Sequence, residues 1–189
     1  MSYFPAFIKL ENKKILVVGG GKIAASKLIH LLDFTDDITV LAQEFSEEMR
    51  LCLKKAEQIQ SIEKTYAGGD VEGYDIVVVA VDTIALQAAI FEETRRLGIL
   101  CNAVDSTAYC DFIFPAYIQK DDLVIAISTG GASPAMAKHI RRYIEALIPK
   151  NIGQFLKEMR ELRESLPKGK ERMQMLDAKA AAYMKNWRK

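Results

Sequence analysis

With 189 residues, half of them hydrophobic and 27% charged, and a net charge of only +1, the chain has the make-up of a soluble globular protein. It is long enough for one α/β domain and a smaller appended unit. No stretch is biased toward Gly, Ser, Pro or one sign of charge, which excludes low-complexity disorder. The longest purely apolar run, Ile76 to Val81, falls far short of the roughly 18 residues of a membrane helix.

The opening MSYFPAFIKL has neither the basic start nor the apolar stretch of a secretory signal, so a cytoplasmic location is expected. From Lys14 to Val18 an unalternating β-branched run predicts a strand buried on both faces of a parallel sheet. A glycine cluster follows, and from Lys22 to Leu32 apolar residues recur at helical spacing. Ile38 to Ala42 supplies a second strand. A helix is expected over Ser46–Ile59, beginning with a half-satisfied capping box, then a strand near Ser61–Tyr66 and a turn-rich Ala67–Gly73. Tyr74–Val81 is the strongest strand signal. Ile84–Leu97 reads as a helix closed by Gly98, and Ile99–Val104 as a further strand.

This alternation predicts an α/β fold, a Rossmann-type doubly wound parallel sheet. The rhythm stops after Asp105. Phe112–Tyr117 and Leu123–Ser128 are expected to form a hairpin joined through Gln119 to Asp122. A helix from Pro134 to Ile148 follows, with Ser133 as N-cap and Pro134 at the first helical position. Two amphipathic helices, Ile152–Leu166 and Glu171–Trp187, finish the chain. The expected division is 1–110 for the nucleotide-binding domain, 111–149 for a dimerisation segment and 150–189 for a small helical domain.

Residues 150–189 carry 11 of the 26 basic and 5 of the 25 acidic residues. Their helical spacing reads as a solvated face, so no nucleic-acid partner is expected. Cys52, Cys101 and Cys110 show no C-x-x-C pairing. Neither a disulfide framework nor a zinc site is predicted, and no metal is expected at His30 or His139.

The chemistry centres on Gly19-Gly20-Gly21-Lys22-Ile23-Ala24, a G-x-G-x-x-A turn placed between strand and helix. Gly19 permits the turn, Gly21 lets the backbone approach a pyrophosphate, and Ala24 lets the helix pack on the strand. An acidic residue normally ends the second strand to bind the adenosine ribose. Ala42 stands near that place, leaving Gln43 or Glu44 as candidates. No Arg or Lys lies between Thr39 and Glu48, which favours NAD over NADP. Asp82, Thr83, Asn102 and Asp105 fall at carboxyl ends of later strands, where open α/β sheets place their ligands. Asp105 could handle a proton or simply open an Asp-Ser-Thr turn. Ser128, Thr129, Gly130, Gly131 and Ser133 form a glycine-bearing helix-opening loop suited to anions, with Lys138 on the helix behind it; an unliganded loop would read much the same.

Taken in order, VVGGGKIAASK, VVVAVDT, CNAVD, FIFPA and ISTGGASPAMAKHIRR resemble the precorrin-2 dehydrogenase family of siroheme synthesis over Pro5 to about Gly153, with Gln43 where relatives commonly have Pro. The resemblance implies an enzyme that oxidises precorrin-2 to sirohydrochlorin with NAD and works as a homodimer sharing the segment from about Asp111 to Pro149. It also makes Asp105 the leading candidate for proton handling or substrate positioning. Two other readings stay open: a bifunctional dehydrogenase and ferrochelatase, and a non-catalytic NAD sensor.

Overall fold

The computed structural model describes residues 3–185 and 187. These residues form two compact units, Met1–Ile113 and Phe114–Lys189.

The first unit is a five-stranded, wholly parallel sheet in the order β3-β2-β1-β4-β5. Its strands are β1 (Ile15–Val18), β2 (Ile38–Ala42), β3 (Gln60–Glu63), β4 (Ile76–Val79) and β5 (Leu100–Ala103). Every residue of β1, β2 and β4 is buried. That is why these strands read as continuous apolar runs rather than alternating ones. The helices are α1 (Lys22–Leu32), α2 (Glu47–Lys55) and α3 (Ile84–Leu97). Leu16, Val18, Val77 and Val79 pack with Ile90 and Phe91 of α3. Burying each such side chain contributes about 1.5–3 kcal/mol. Gly98 closes α3 with φ +71, the left-handed residue expected there.

Several elements are shorter than the sequence suggests, β4 by half against the expected Tyr74–Val81, and in two of them the cause is visible. Helix α2 stops at Lys55 because Ala56 leaves the helical region at φ −121, ψ 66 while its N–H still reaches the Cys52 and Leu53 carbonyls. Strand β3 stops at Glu63; one last bond runs from Lys64 N–H to the Ala42 carbonyl at 2.8 Å, and Thr65 and Tyr66 then leave the sheet edge.

The second unit begins with an antiparallel hairpin, β6 (Ala116–Lys120) and β7 (Leu123–Ile127). Its first strand lies further along the chain than the expected Phe112–Tyr117, while its second begins at Leu123 as expected. Pro115 has no N–H for a ladder, so pairing starts after it. Lys120 pairs with Leu123, leaving a two-residue turn in which Asp121 takes φ +50. Helices α4 (Pro134–Leu147), α5 (Ile152–Ser165) and α6 (Lys170–Lys185) follow. The expected end of the last helix at Trp187 runs through Asn186, outside the described residues. Ile118 of the hairpin shares one core with Ile148 and Ile152. Gly153 explains how: a Cβ there would lie 1.7 Å from an Asp121 carboxylate oxygen, so the missing side chain lets the hairpin turn rest on the first turn of α5. That carboxylate faces the positive end of the helix, and Arg160 pairs with Asp122 beside it.

Candidate functional site

Strand order reverses around β1, with β2 on one side and β4 on the other, and the crevice at such a switch point is where open α/β sheets bind ligands. A cleft of about 760 Å³ opens there. It draws together Gly19, Gly20, Gly21, Lys22 and Ile23 from the turn, Gln43 and Glu44 after β2, Asp82 after β4, and Asp105 after β5.

The three glycines do different things. Gly19 has φ +130, and a Cβ on it would stand 2.2 Å from the Ala80 carbonyl. Gly20 is tighter still: a Cβ would lie 1.9 Å from the Glu44 carbonyl and 2.8 Å from the Ala42 Cβ. Its own carbonyl accepts from Ser46 N–H at 2.8 Å. The turn is therefore wedged between the exits of two neighbouring strands. A Cβ on Gly21 would meet nothing within 4 Å. Gly21 is also the N-cap of α1, with no side-chain cap and no acidic residue in the first turn. The first N–H groups of α1, which have no intrahelical acceptor, thus open onto free space beside bare backbone. That fits a dinucleotide's pyrophosphate. Ala24 lies fully buried beneath them, in the close-packing role expected of it.

Three expected residues do not line the cleft. Asn102 is 5% exposed, and its amide donates to the Phe112 carbonyl at 2.7 Å and contacts Cys110 Sγ at 3.4 Å. It is a buried strut that ties β5 to the following loop, because a strand residue preceding the carboxyl edge still points into the protein. Thr83 caps α3 by backbone alone and stays outside the lining, as does the buried Ala24. Asp105 does line it and holds φ +63, a conformation Asp tolerates better than most residues.

The sequence reading missed Lys27, Tyr66 and Gln87. Lys27 on α1 has its pKa lowered by burial, while the charge of Asp105 acts in the opposite sense, so the amine lies within electrostatic reach of Asp105. Tyr66 was placed within a strand, and only the early end of β3 puts it on the cleft. Gln87 gave a readable signal as a long polar side chain on the inner face of α3, which it shares with Ile90, Phe91 and Thr94.

In the second unit, Ser128 Oγ accepts from Gly130 N–H at 3.1 Å, Thr129 Oγ1 from Ser133 N–H at 3.0 Å, and Ser133 Oγ from Met136 N–H at 3.2 Å. The loop's hydroxyl oxygens serve its own backbone. Gly130 and Gly131 hold φ +62 and +87, and Lys138 is exposed on α4. Among the described residues no cluster of His, Cys, Asp or Glu could hold a metal ion, and no helix is long and apolar enough to cross a membrane.

Comparison with known proteins gives a consistent picture. The chain is 40% identical over 164 residues to the siroheme synthase of Methylococcus capsulatus, covering 87% of this chain and 34% of that protein. It is 37% identical over 153 residues to the siroheme synthase of Mannheimia succiniciproducens, covering 81% and 32%. It therefore spans about a third of the length of these relatives. A solved structure named "SirC, precorrin-2 dehydrogenase" superposes with a TM-score of 0.77 at 27% identity, over 93% of this chain and 88% of that one. The fold is thus the Rossmann-type sheet, hairpin and C-terminal helices of that dehydrogenase. Residues 120–147 match a family described as the central part of a sirohaem biosynthesis protein, and residues 6–116 match a family described as NAD(P)-binding. With that last match covering more than half of its length, the chain belongs to this NAD(P)-binding family.

Proposed function

We propose that the protein oxidises precorrin-2 to sirohydrochlorin with NAD as acceptor. The observation that carries this reading is the bare backbone of Gly21 at an uncapped helix N-terminus, in the same cleft as Asp82 and Asp105. NAD, when bound, supplies the hydride acceptor. The backbone of Gly19, Gly20, Gly21, Lys22 and Ile23 would hold its phosphates, and Gln43 and Glu44 would meet the adenosine ribose. Oxidation of the ring would give up one hydride to that acceptor and one proton. Asp105 receives that proton or orients the ring while water takes it. Ser128, Thr129, Gly130, Gly131, Ser133 and Lys138 are proposed to meet the substrate's carboxylates, the hydroxyl residues and Lys138 through hydroxyl hydrogens and charge and the glycines by letting the ligand approach the backbone. In this reading residues 1–110 bind the nucleotide, 111–149 form a homodimer contact, 150–189 extend that unit, and the enzyme works in the cytoplasm.

A feature of α4 supports the dimer. Met136, Ile140, Tyr143 and Leu147 recur along one face of the helix and are all exposed, Tyr143 by 69%, an apolar stripe that a second copy would cover. Light scattering at micromolar concentration should give twice the chain mass; a monomer there overturns the dimer.

The activity is tested anaerobically with precorrin-2. NADH and sirohydrochlorin should appear in equal amounts, and Asp105→Asn should lower turnover by about a hundredfold or more if Asp105 is the base. A change confined to the Michaelis constant assigns it to positioning instead. NAD binding without turnover would leave a nucleotide sensor. Metal insertion into sirohydrochlorin without any need for NAD would leave a chelatase.

A further inference from the structure

The sheet order places β2 and β3 on one side of the glycine turn and β4 and β5 on the other, so the two halves of a dinucleotide fall on opposite sides of β1. The ribose-reading position at the end of β2 puts the adenosine half on the β2 and β3 side. Tyr66, in the segment that runs from β3 to β4, lines the cleft, and its hydroxyl reaches α3, so the α3 residues in the lining stand beside it although their helix follows β4.

Its hydroxyl is already committed. Tyr66 Oη donates to Glu93 Oε2 on α3 at 2.6 Å, and Gly69 N–H donates to Oε1 of the same carboxylate at 2.6 Å. The ring also packs against the core beneath the sheet edge. Burial, followed by the Glu93 hydrogen bond and charge, holds the phenol well above its ordinary pKa, so it remains a neutral aromatic panel. Leu86 and Ile84 line the same cleft, and Ile84 is 67% exposed.

Gln87, in the same lining, is 6% exposed. Its Nε2 donates to the Val81 carbonyl at 2.7 Å, which settles which end of the amide is which, since an oxygen there would face another oxygen. Its Oε1 is screened from solvent and meets no donor among the described residues. A buried acceptor left without a donor is unusual enough to call for an explanation.

We propose that Tyr66, Leu86 and Gln87 form an adenine subsite, in which the aromatic panel takes the face of the base and Gln87 Oε1 accepts from its exocyclic amine. The proposal rests on the dinucleotide reading of the cleft. A 6-oxo purine would present a second acceptor to Gln87 and be disfavoured.

The test is titration of the full chain with NADH and with its hypoxanthine analogue, following nicotinamide fluorescence. NADH should bind about tenfold more tightly. In Gln87→Leu that ratio should fall to within about twofold, as the discriminating acceptor is gone. Tyr66→Ala should weaken NADH by about tenfold, the usual scale of base–aromatic stacking, without weakening nicotinamide mononucleotide, which lacks the base. A wild-type ratio near one overturns the proposal, and needs no variant. So does an undiminished ratio in Gln87→Leu, or equal weakening of mononucleotide and dinucleotide in Tyr66→Ala. Failure of the wild-type chain to bind NADH at all would instead sink the dinucleotide reading, and the subsite with it.

Discussion

The chain contains two glycine-bearing loops that open a helix, and they are built in opposite ways. In Gly19–Ala24 the first two glycines are wedged against the exits of β4 and β2, the third is open, and the helix that follows has no side-chain cap. In Ser128–Pro134 the glycines meet nothing, while the hydroxyl oxygens of Ser128 and Thr129 accept from the loop's own N–H groups and that of Ser133 caps α4. Both loops have the residue types of an anion site. Only the first leaves its N–H groups open by construction; the second satisfies several of its own and has hydroxyl hydrogens left to offer. Whether a helix-opening loop is a ready-made phosphate cradle depends on which donors remain after folding.

The largest effect should come from filling the cradle. Gly21→Asp places a carboxylate where no atom now lies within 4 Å of a Cβ position, at the site where an anionic pyrophosphate is expected. NAD affinity measured by calorimetry should fall by at least about a hundredfold while thermal stability changes little, since Asp at the N-cap suits the helix dipole. Wild-type affinity in that variant would break the comparison, because the open N-terminus would not be the phosphate site.

A smaller but still large effect should follow one residue earlier. Gly20→Ala drives a Cβ to 1.9 Å from the Glu44 carbonyl, and backbone cannot give way cheaply there. A loss of about 3 kcal/mol in chemical denaturation is expected, on the scale of overpacking a tight core. A variant as stable as wild type would show that this turn is looser than its wedged geometry implies.

The smallest effect belongs to the second loop. Ser133→Ala removes the acceptor for Met136 N–H and should cost about 1 kcal/mol, the usual worth of an N-cap. NAD affinity should remain as it was. A loss of NAD binding from this change would erase the distinction between the two loops.

Much of the architecture was readable because its signals are local. Continuous apolar runs marked β1, β2 and β4, and Gly98 marked the end of α3. Element ends were less readable where tertiary packing set them: Pro115 delayed the hairpin, and Ala56 ended α2 several residues early. Among the candidate residues, the glycine turn, Gln43, Glu44, Asp82 and Asp105 were brought together at one cleft. Asn102 was not, because its amide is taken up by Phe112 and Cys110. Tyr66 could not have been found without knowing that β3 ends at Glu63.

What the sequence determined by itself was periodicity and composition: which segments are buried on both faces, where glycine permits a turn, and where a helix opens. These depend on near neighbours along the chain, so they survive without coordinates. Only the tertiary structure decided that Gly20 rather than Gly21 is the immovable glycine, since the carbonyl of Glu44 that forbids its Cβ comes from the segment after β2. It likewise decided that Glu93 holds Tyr66 across 27 residues and that Gly153 makes room for Asp121. Contacts between segments distant in sequence leave no periodic trace, because neither partner's near neighbours along the chain depend on the other.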